Sequence, residues 1–266
     1  MSDYPALDVT EVATPPAYDP DHPSWGIMTG IGVWIFSYLV PLLAINVWFV
    51  IQRRSGAALP TTREEIEAWI MTPGVVLTSV IATAVSHILT LALCWVVVTR
   101  LGSRPFLASL GWHWGGLSRS GRYLLIFGVV AAVYIINVVL VQFLPESETT
   151  KFGEMLKSSH TVRILVACMA VLTAPIVEET VYRGMLYSPL RNRLGRSAAV
   201  MIVTILFVLV HFDQYSGAWA SLAGLTILSF VLTLVRAVTQ SLLPCVAIHL
   251  VFNFVGSIFI LQPVLQ

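Results

Sequence analysis

Two adjacent glutamates, Glu178 and Glu179, lie inside an apolar stretch of this chain, in the sequence PIVEETVYRG of residues 175–184. Of the 14 acidic residues, eleven fall in hydrophilic segments and Asp213 borders an apolar run, so only this pair lies deep within one. An ionised carboxylate removed from water is costly unless a partner stabilises it. The pattern therefore predicts a functional site, in preference to an ion-pair network that only fixes helix packing.

Helical geometry predicts different roles for the two carboxylates. Arg183 follows Glu179 by four residues, so the two side chains share a helix face and can form an ion pair. Glu178 is rotated by about 100° from its neighbour. One carboxylate can therefore be held ionised by the arginine while the other faces a cavity.

Two further apolar segments carry histidine. His211 comes one turn after Phe207, and His249 comes one turn before Asn253. A carboxylate in a low-dielectric pocket suits a general base, and a histidine can share its bound water. A second histidine and an amide can donate hydrogen bonds to a developing oxyanion. These residue types predict hydrolysis by an activated water. His87, beside Ser86, is predicted instead to be a hydrogen-bonded residue of the helical bundle.

The composition indicates an integral membrane protein. Hydrophobic residues make up 57% of the chain and charged residues 11%, with a mean hydropathy of +0.83, whereas soluble domains have roughly 25% charged residues. A net charge of +1 without a basic stripe argues against a nucleic-acid partner. The expected partners are the lipid bilayer and a membrane-bound substrate, and the oligomeric state is left open.

The predicted fold is all-α: a polytopic transmembrane bundle of about seven helices, with eight as the alternative, around an intramembrane polar cavity. Residues 1–26 hold five prolines and five acids but no Lys or Arg, which predicts a disordered tail. Residues 27–266 form the transmembrane domain. Runs of about 20 apolar residues predict its spans. They cover about 27–51, 74–98, 123–144, 162–187, 197–212, 219–235 and 242–261.

The connecting segments add three expectations. Residues 61–71 contain a capping-box pattern, which predicts a short amphipathic helix. Residues 99–122, with four arginines and two tryptophans, are expected at the membrane interface. If the N-terminus is cytoplasmic, the predicted cytoplasmic loops hold eight Lys and Arg residues and the loops on the other side hold five. This difference favours a cytoplasmic N-terminus. Short loops and the lack of an organelle signal suggest a prokaryotic inner membrane.

Three ordered motifs resemble those of the CPBP intramembrane proteases, which include the type II CAAX prenyl endopeptidases and the Abi group of bacteriocin-processing or immunity proteins. The resemblance covers about residues 160–255, with a similar upstream segment at 106–112. The motifs are Glu178-Glu179-x-x-x-Arg183-Gly184, Phe207-x-x-x-His211 and His249-x-x-x-Asn253. Family members often have Phe where this chain has Tyr182, and a small residue where it has Val210.

The resemblance implies a role for each matching residue. Glu178 would activate the water with help from His211, while His249 and Asn253 would form the oxyanion site. The supporting residues would be Glu179, Arg183 and Phe207. The family fold is a helical bundle whose cavity opens to the membrane and to the cytosolic side.

Zinc is the alternative to a metal-free mechanism, with Glu178, His211 and His249 as its ligands. Against it, the chain has no HExxH motif, so no cofactor is expected. The predicted activity is endopeptidase cleavage of a membrane-associated or lipid-modified protein or peptide. A catalytically silent bacteriocin-immunity or scaffold protein is the alternative. An ion- or proton-coupled transporter is less favoured, because no inverted repeat or paired helix break is found.

Overall fold

The computed structural model describes residues 18–56, 60–147 and 149–265, and within these ranges it is helical without β-strands, as predicted. A π-helical segment, Thr180–Leu186, joins two of the α-helices. The α-helices are α1 (Ile27–Arg54), α2 (Arg63–Ile70), α3 (Pro73–Thr99), α4 (Phe106–Ser109), α5 (Arg119–Phe143), α6 (Lys151–Lys157), α7 (His160–Leu172), α8 (Ala174–Glu179), α9 (Tyr187–Leu194), α10 (Arg196–His211), α11 (Trp219–Thr239) and α12 (Leu243–Leu265).

The number of membrane-spanning helices differs from the predicted seven. Among the described residues, five helices are long and apolar enough to cross a bilayer: α1, α3, α5, α11 and α12. The predicted span 162–187 is a bent pair, with a 41° angle between His160–Leu172 and Ala174–Leu194, and it would make a sixth. The predicted span 197–212 is α10, whose 16 residues cover only about 24 Å of a hydrocarbon core about 30 Å thick.

The helix that carries the glutamates continues further than predicted. The predicted span ends at about residue 187, but α9 runs through Pro189 to Leu194. Proline lacks the N–H that would bond to the carbonyl four residues earlier, here that of Met185. The indole Nε1 of Trp25 donates to this carbonyl at 3.0 Å. A hydrogen bond from the N-terminal segment thus supplies a donor where Pro189 cannot.

The prediction of a disordered N-terminal tail is wrong for residues 18–26, while residues 1–17 lie outside the described part of the chain. Asp21 is only 4% exposed. Its carboxylate forms ion pairs with Arg191 and, at 2.9 Å, with Arg236. Asn192 Nδ2 donates to the Asp21 carbonyl at 2.7 Å. These partners lie at least 170 positions away in the sequence, so local composition gave no sign of them.

The connecting segments follow the prediction in part. Thr62 and Glu65 form the expected capping box at the start of α2. The segment 99–122, expected at the interface, also contributes to the core. Leu110 is 1% exposed and lies so close to Gly184 that a Cβ there would be 3.0 Å from it. The segment therefore packs against the π-helical turn.

The close approach of α1 to the π-helical segment requires a glycine. A Cβ on Gly30 would lie 2.8 Å from the Met185 carbonyl oxygen, whereas one on Gly32 would meet nothing within 4 Å. We expect Gly30→Ala to lower the free energy of unfolding by about 1–3 kcal/mol, because a backbone atom must move. Gly32→Ala is the matched control and should stabilise α1 by about 0.5–1 kcal/mol. Thermal unfolding of both variants in one detergent tests this; equal shifts would contradict it.

Candidate active site

Glu178 and Glu179 lie between two irregularities of one helical stretch. The break between α7 and α8 precedes them, with Pro175 in the first turn of α8. The π-helical segment Thr180–Leu186 follows them directly. Such π-turns occur often at functional sites. The side chains of the two glutamates differ in exposure, at 23% for Glu178 and 0% for Glu179.

Arg183 and Glu179 form the predicted ion pair, and both side chains are fully buried. Arg183 Nη1 donates to Glu179 Oε1 at 3.0 Å. Its Nε donates to Thr233 Oγ1 at 3.1 Å, and its Nη2 donates to the hydroxyl and carbonyl oxygens of Ser229, each at 2.8 Å. The guanidinium also lies 5.0 Å from the centre of the Phe207 ring. Helix α11 therefore fixes the arginine, and the arginine fixes Glu179.

His249 lies between the two glutamates. Its Nδ1 is 2.8 Å from Glu179 Oε1, the oxygen that also accepts from Arg183. An ionised carboxylate only accepts hydrogen bonds, so Nδ1 carries the proton. Nε2 lies on the other side of the ring, 3.8 Å from Glu178 Oε2. A neutral His249 therefore presents a lone pair toward Glu178, and it can donate from Nε2 only after gaining a second proton.

His211 has the same tautomer for a different reason. Its Nδ1 is 2.7 Å from the Phe207 carbonyl oxygen. A carbonyl accepts and cannot donate, so the proton is on Nδ1 and the neutral ring keeps Nε2 as an acceptor. The ring stacks on Phe207, with centroids 4.7 Å apart, and Phe207 also meets the ring of His249 at 6.2 Å. Phe207 thus separates the two imidazoles and holds both in place.

Asn253 is fixed by a contact between α12 and α7. Its Nδ2 donates to the Ala170 carbonyl at 2.8 Å. Because that partner only accepts, the nitrogen rather than the oxygen of the amide must face it. One amide N–H is thereby used and the second stays available for a ligand.

One cavity of about 470 Å³ brings the predicted site residues together. Glu178, His211, His249 and Asn253 all line it, and Phe207 forms part of its wall. Much of the remaining lining is apolar and comes from α3, α7, α11 and α12. Glu179 and Arg183 lie behind this wall. This arrangement is the polar cavity within a helical bundle that the sequence predicted.

The lining residues that were not predicted as site residues include Gln214, Tyr215 and His87. Gln214 and Tyr215 follow His211 in the turn before α11 and line the cavity with it. Burial, with a smaller contribution from the charge of Glu178, raises the pKa of Tyr215 to about 12, so its hydroxyl stays protonated. His87 makes the expected hydrogen bond, at 2.8 Å to Thr173 Oγ1, but it also lines the cavity.

The proposed zinc ligands are not arranged as a metal site. Within the described ranges, no three His, Cys, Asp or Glu side chains come together in a way that could hold a metal ion. His249 Nδ1 already donates to Glu179, which leaves only its Nε2 for a ligand.

A comparison with protein families matches residues 160–255 to the family described as "Type II CAAX prenyl endopeptidase Rce1-like". The matched part contains both glutamates, His211, His249 and Asn253. No curated protein and no solved structure gives a significant match to the chain.

The buried ion pair predicts a strong dependence of folding on Arg183. Arg183→Ala should lower the free energy of unfolding by about 3–5 kcal/mol, because it leaves the Glu179 carboxylate buried without a counter-charge. Arg183→Lys should be intermediate, since an ammonium group cannot reproduce the fork that reaches Thr233 and Ser229. The double variant Arg183→Met/Glu179→Gln should be more stable than Arg183→Ala. Denaturation in detergent measures all three, and wild-type stability of Arg183→Ala would contradict the assignment.

Proposed function

Because residues 160–255 match the family described as "Type II CAAX prenyl endopeptidase Rce1-like" and five helices of the described chain are long and apolar enough to cross a membrane, we propose that the chain is a glutamate-dependent intramembrane endopeptidase of the CPBP family. Its substrate is a membrane-associated or lipid-modified protein or peptide. The short loops favour a prokaryotic cell membrane. In that setting, a processed peptide or another membrane protein is as suitable a substrate as a CAAX tail.

The proposal rests on the different exposure and partners of the two glutamates. Glu179 is 0% exposed and bonds to Arg183 and His249. Glu178 is partly exposed and lines the cavity. A general base must reach a water molecule, and a structural carboxylate need not. Glu178 is therefore the base, and Glu179 positions His249 and Arg183.

The attacking water is held by two acceptors. It donates one hydrogen to the Glu178 carboxylate and the other to Nε2 of His211, which is unprotonated because Nδ1 donates to the Phe207 carbonyl. Glu178 removes its proton as the water oxygen bonds to the carbonyl carbon of the substrate. The electron pair of the C=O bond moves onto the carbonyl oxygen and forms the oxyanion.

The oxyanion is stabilised by donors from α12. Asn253 offers its second amide N–H, and His249 offers Nε2–H when it is protonated. The carboxylates of Glu178 and Glu179 lie on either side of the imidazole, 3.8 Å from Nε2 and 2.8 Å from Nδ1. When the intermediate collapses, the C–N bond breaks and Glu178 returns its proton to the departing amine. A new N-terminal amine and a new C-terminal carboxylic acid result, and the acid ionises by releasing the second proton of the water to solvent.

Loss of the base should remove activity without affecting folding. We expect Glu178→Gln to lower the rate of peptide-bond cleavage by about 10²–10⁴-fold, with unfolding like that of the wild type. Glu67→Gln, on the exposed helix α2, is the matched control and should cleave normally. Mass spectrometry of the membrane proteins of cells that express each variant would measure cleavage as the number of neo-C-termini. Neo-C-termini that persist with Glu178→Gln would contradict the proposed function and favour a non-catalytic immunity or scaffold role.

We propose that no metal takes part in the reaction, because the water already has two acceptors and the oxyanion two donors from the chain itself. Purified protein treated with 1,10-phenanthroline or EDTA should keep its activity, and added zinc should not increase it. Activity that disappears with the chelator and returns with zinc would instead assign Glu178, His211 and His249 as zinc ligands.

A further inference from the structure

Two cavities meet at Glu178. The second has a volume of about 280 Å³ and lies between α1, α3, α10 and the π-helical segment, on a different side of the glutamate from the 470 Å³ cavity. Five residues line both cavities and so form their boundary. They are Thr83, His87, Glu178, His211 and Gln214.

This arrangement suits a peptide that continues on both sides of the scissile bond. The bond itself must lie beside Glu178, and an extended chain advances about 3.3 Å per residue, so the flanking residues must leave the base in two directions. One cavity can take the residues before the bond and the other those after it. An extended backbone brings N–H groups into these cavities, and each buried N–H requires an acceptor.

The hydrogen-bond partners of His87 indicate which nitrogen of its ring can accept a hydrogen bond. The hydroxyl of Thr173, at the break between α7 and α8, lies 3.2 Å from the Met169 carbonyl oxygen and 2.8 Å from His87 Nδ1. In the bond from Thr173 Oγ1 to the Met169 carbonyl, the hydroxyl donates its single hydrogen, because a carbonyl only accepts. In that arrangement His87 Nδ1 donates to the hydroxyl oxygen, and Nε2 of the neutral ring keeps its lone pair.

Resting on the proposed function, we propose that His87 positions the substrate. Its Nε2 accepts a backbone N–H of an extended peptide that occupies both cavities, next to the bond that is cleaved. Of the groups on the shared boundary, Glu178 and His211 hold the water, which leaves His87 as the imidazole free for the peptide. His87 lies on α3, outside the family-matched residues 160–255, so this contact would be a feature of the chain beyond that match.

Two substitutions of His87 test the roles of its two ring nitrogens separately. His87→Asn keeps an amide nitrogen near the position of Nδ1, which can still donate to Thr173, but it has no acceptor at the position of Nε2. His87→Gln places an amide oxygen near that position. His160→Asn, at the exposed start of α7, is the control for loss of an imidazole.

The probe is a nine-residue peptide that carries a fluorophore and a quencher. Its central bond is one whose cleavage in cells, detected as a neo-C-terminus, requires Glu178. We expect His87→Asn to lower kcat/KM by about 3–10-fold, the effect of one hydrogen bond, mainly through KM. His87→Gln should recover most of the loss, and His160→Asn should match the wild type. Thermal unfolding should not distinguish the variants.

A series of the same peptide with single N-methylated backbone nitrogens tests the contact itself. For the wild type, methylation of the nitrogen that donates to His87 should raise KM, whereas His87→Asn should be insensitive to methylation at that position. Equal sensitivity of both proteins to every methylation would overturn the assignment of His87 alone. If cells with Glu178→Gln yield the same neo-C-termini as the wild type, the proposed function fails, and this inference fails with it.

Discussion

The buried ion pair between Glu179 and Arg183 is the interaction on which the site depends. Both side chains are 0% exposed, and charges removed from water persist only when they are paired and hydrogen-bonded. Three polar groups of α11 complete the coordination of the arginine. The pair therefore joins the helix of the glutamates to α11, and His249 bonds to the same carboxylate from the cavity side.

The ion pair also sets the chemistry of the neighbouring groups. Because Glu179 remains an acceptor, His249 must present Nε2 toward Glu178, at 3.8 Å. His211 reaches the same tautomer through a backbone carbonyl rather than a carboxylate. The two imidazoles therefore have different partners. His249 lies between two carboxylates, while His211 donates from Nδ1 to a backbone carbonyl and can accept a hydrogen from water at Nε2.

The motifs predicted which residues line one cavity more accurately than hydropathy predicted the membrane-spanning helices. Helical spacing predicted the Glu179–Arg183 pair, and the placement of His211, His249 and Asn253 on separate apolar helices indicated one cavity. The count of spans differs from the predicted seven because the apolar run 197–212 was taken as a span, whereas the 16 residues of α10 are too few to cross the hydrocarbon core. The order of residues 18–26 and the place of His87 on the cavity wall depend on contacts with residues far along the chain. Composition and local spacing hold no information about such contacts.

The N-terminal segment shows how a distant contact can support the site without entering it. Pro189 leaves the Met185 carbonyl without its usual helical donor, and Trp25 donates to it from outside the helix. Met185 belongs to the same π-helical turn as Arg183. Ion pairs of Asp21 with Arg191 and Arg236 hold the segment against α9 and α11. Since α11 also supplies Ser229 and Thr233 to Arg183, the segment braces both α11 and the continuation into α9 of the helical stretch that carries the ion pair.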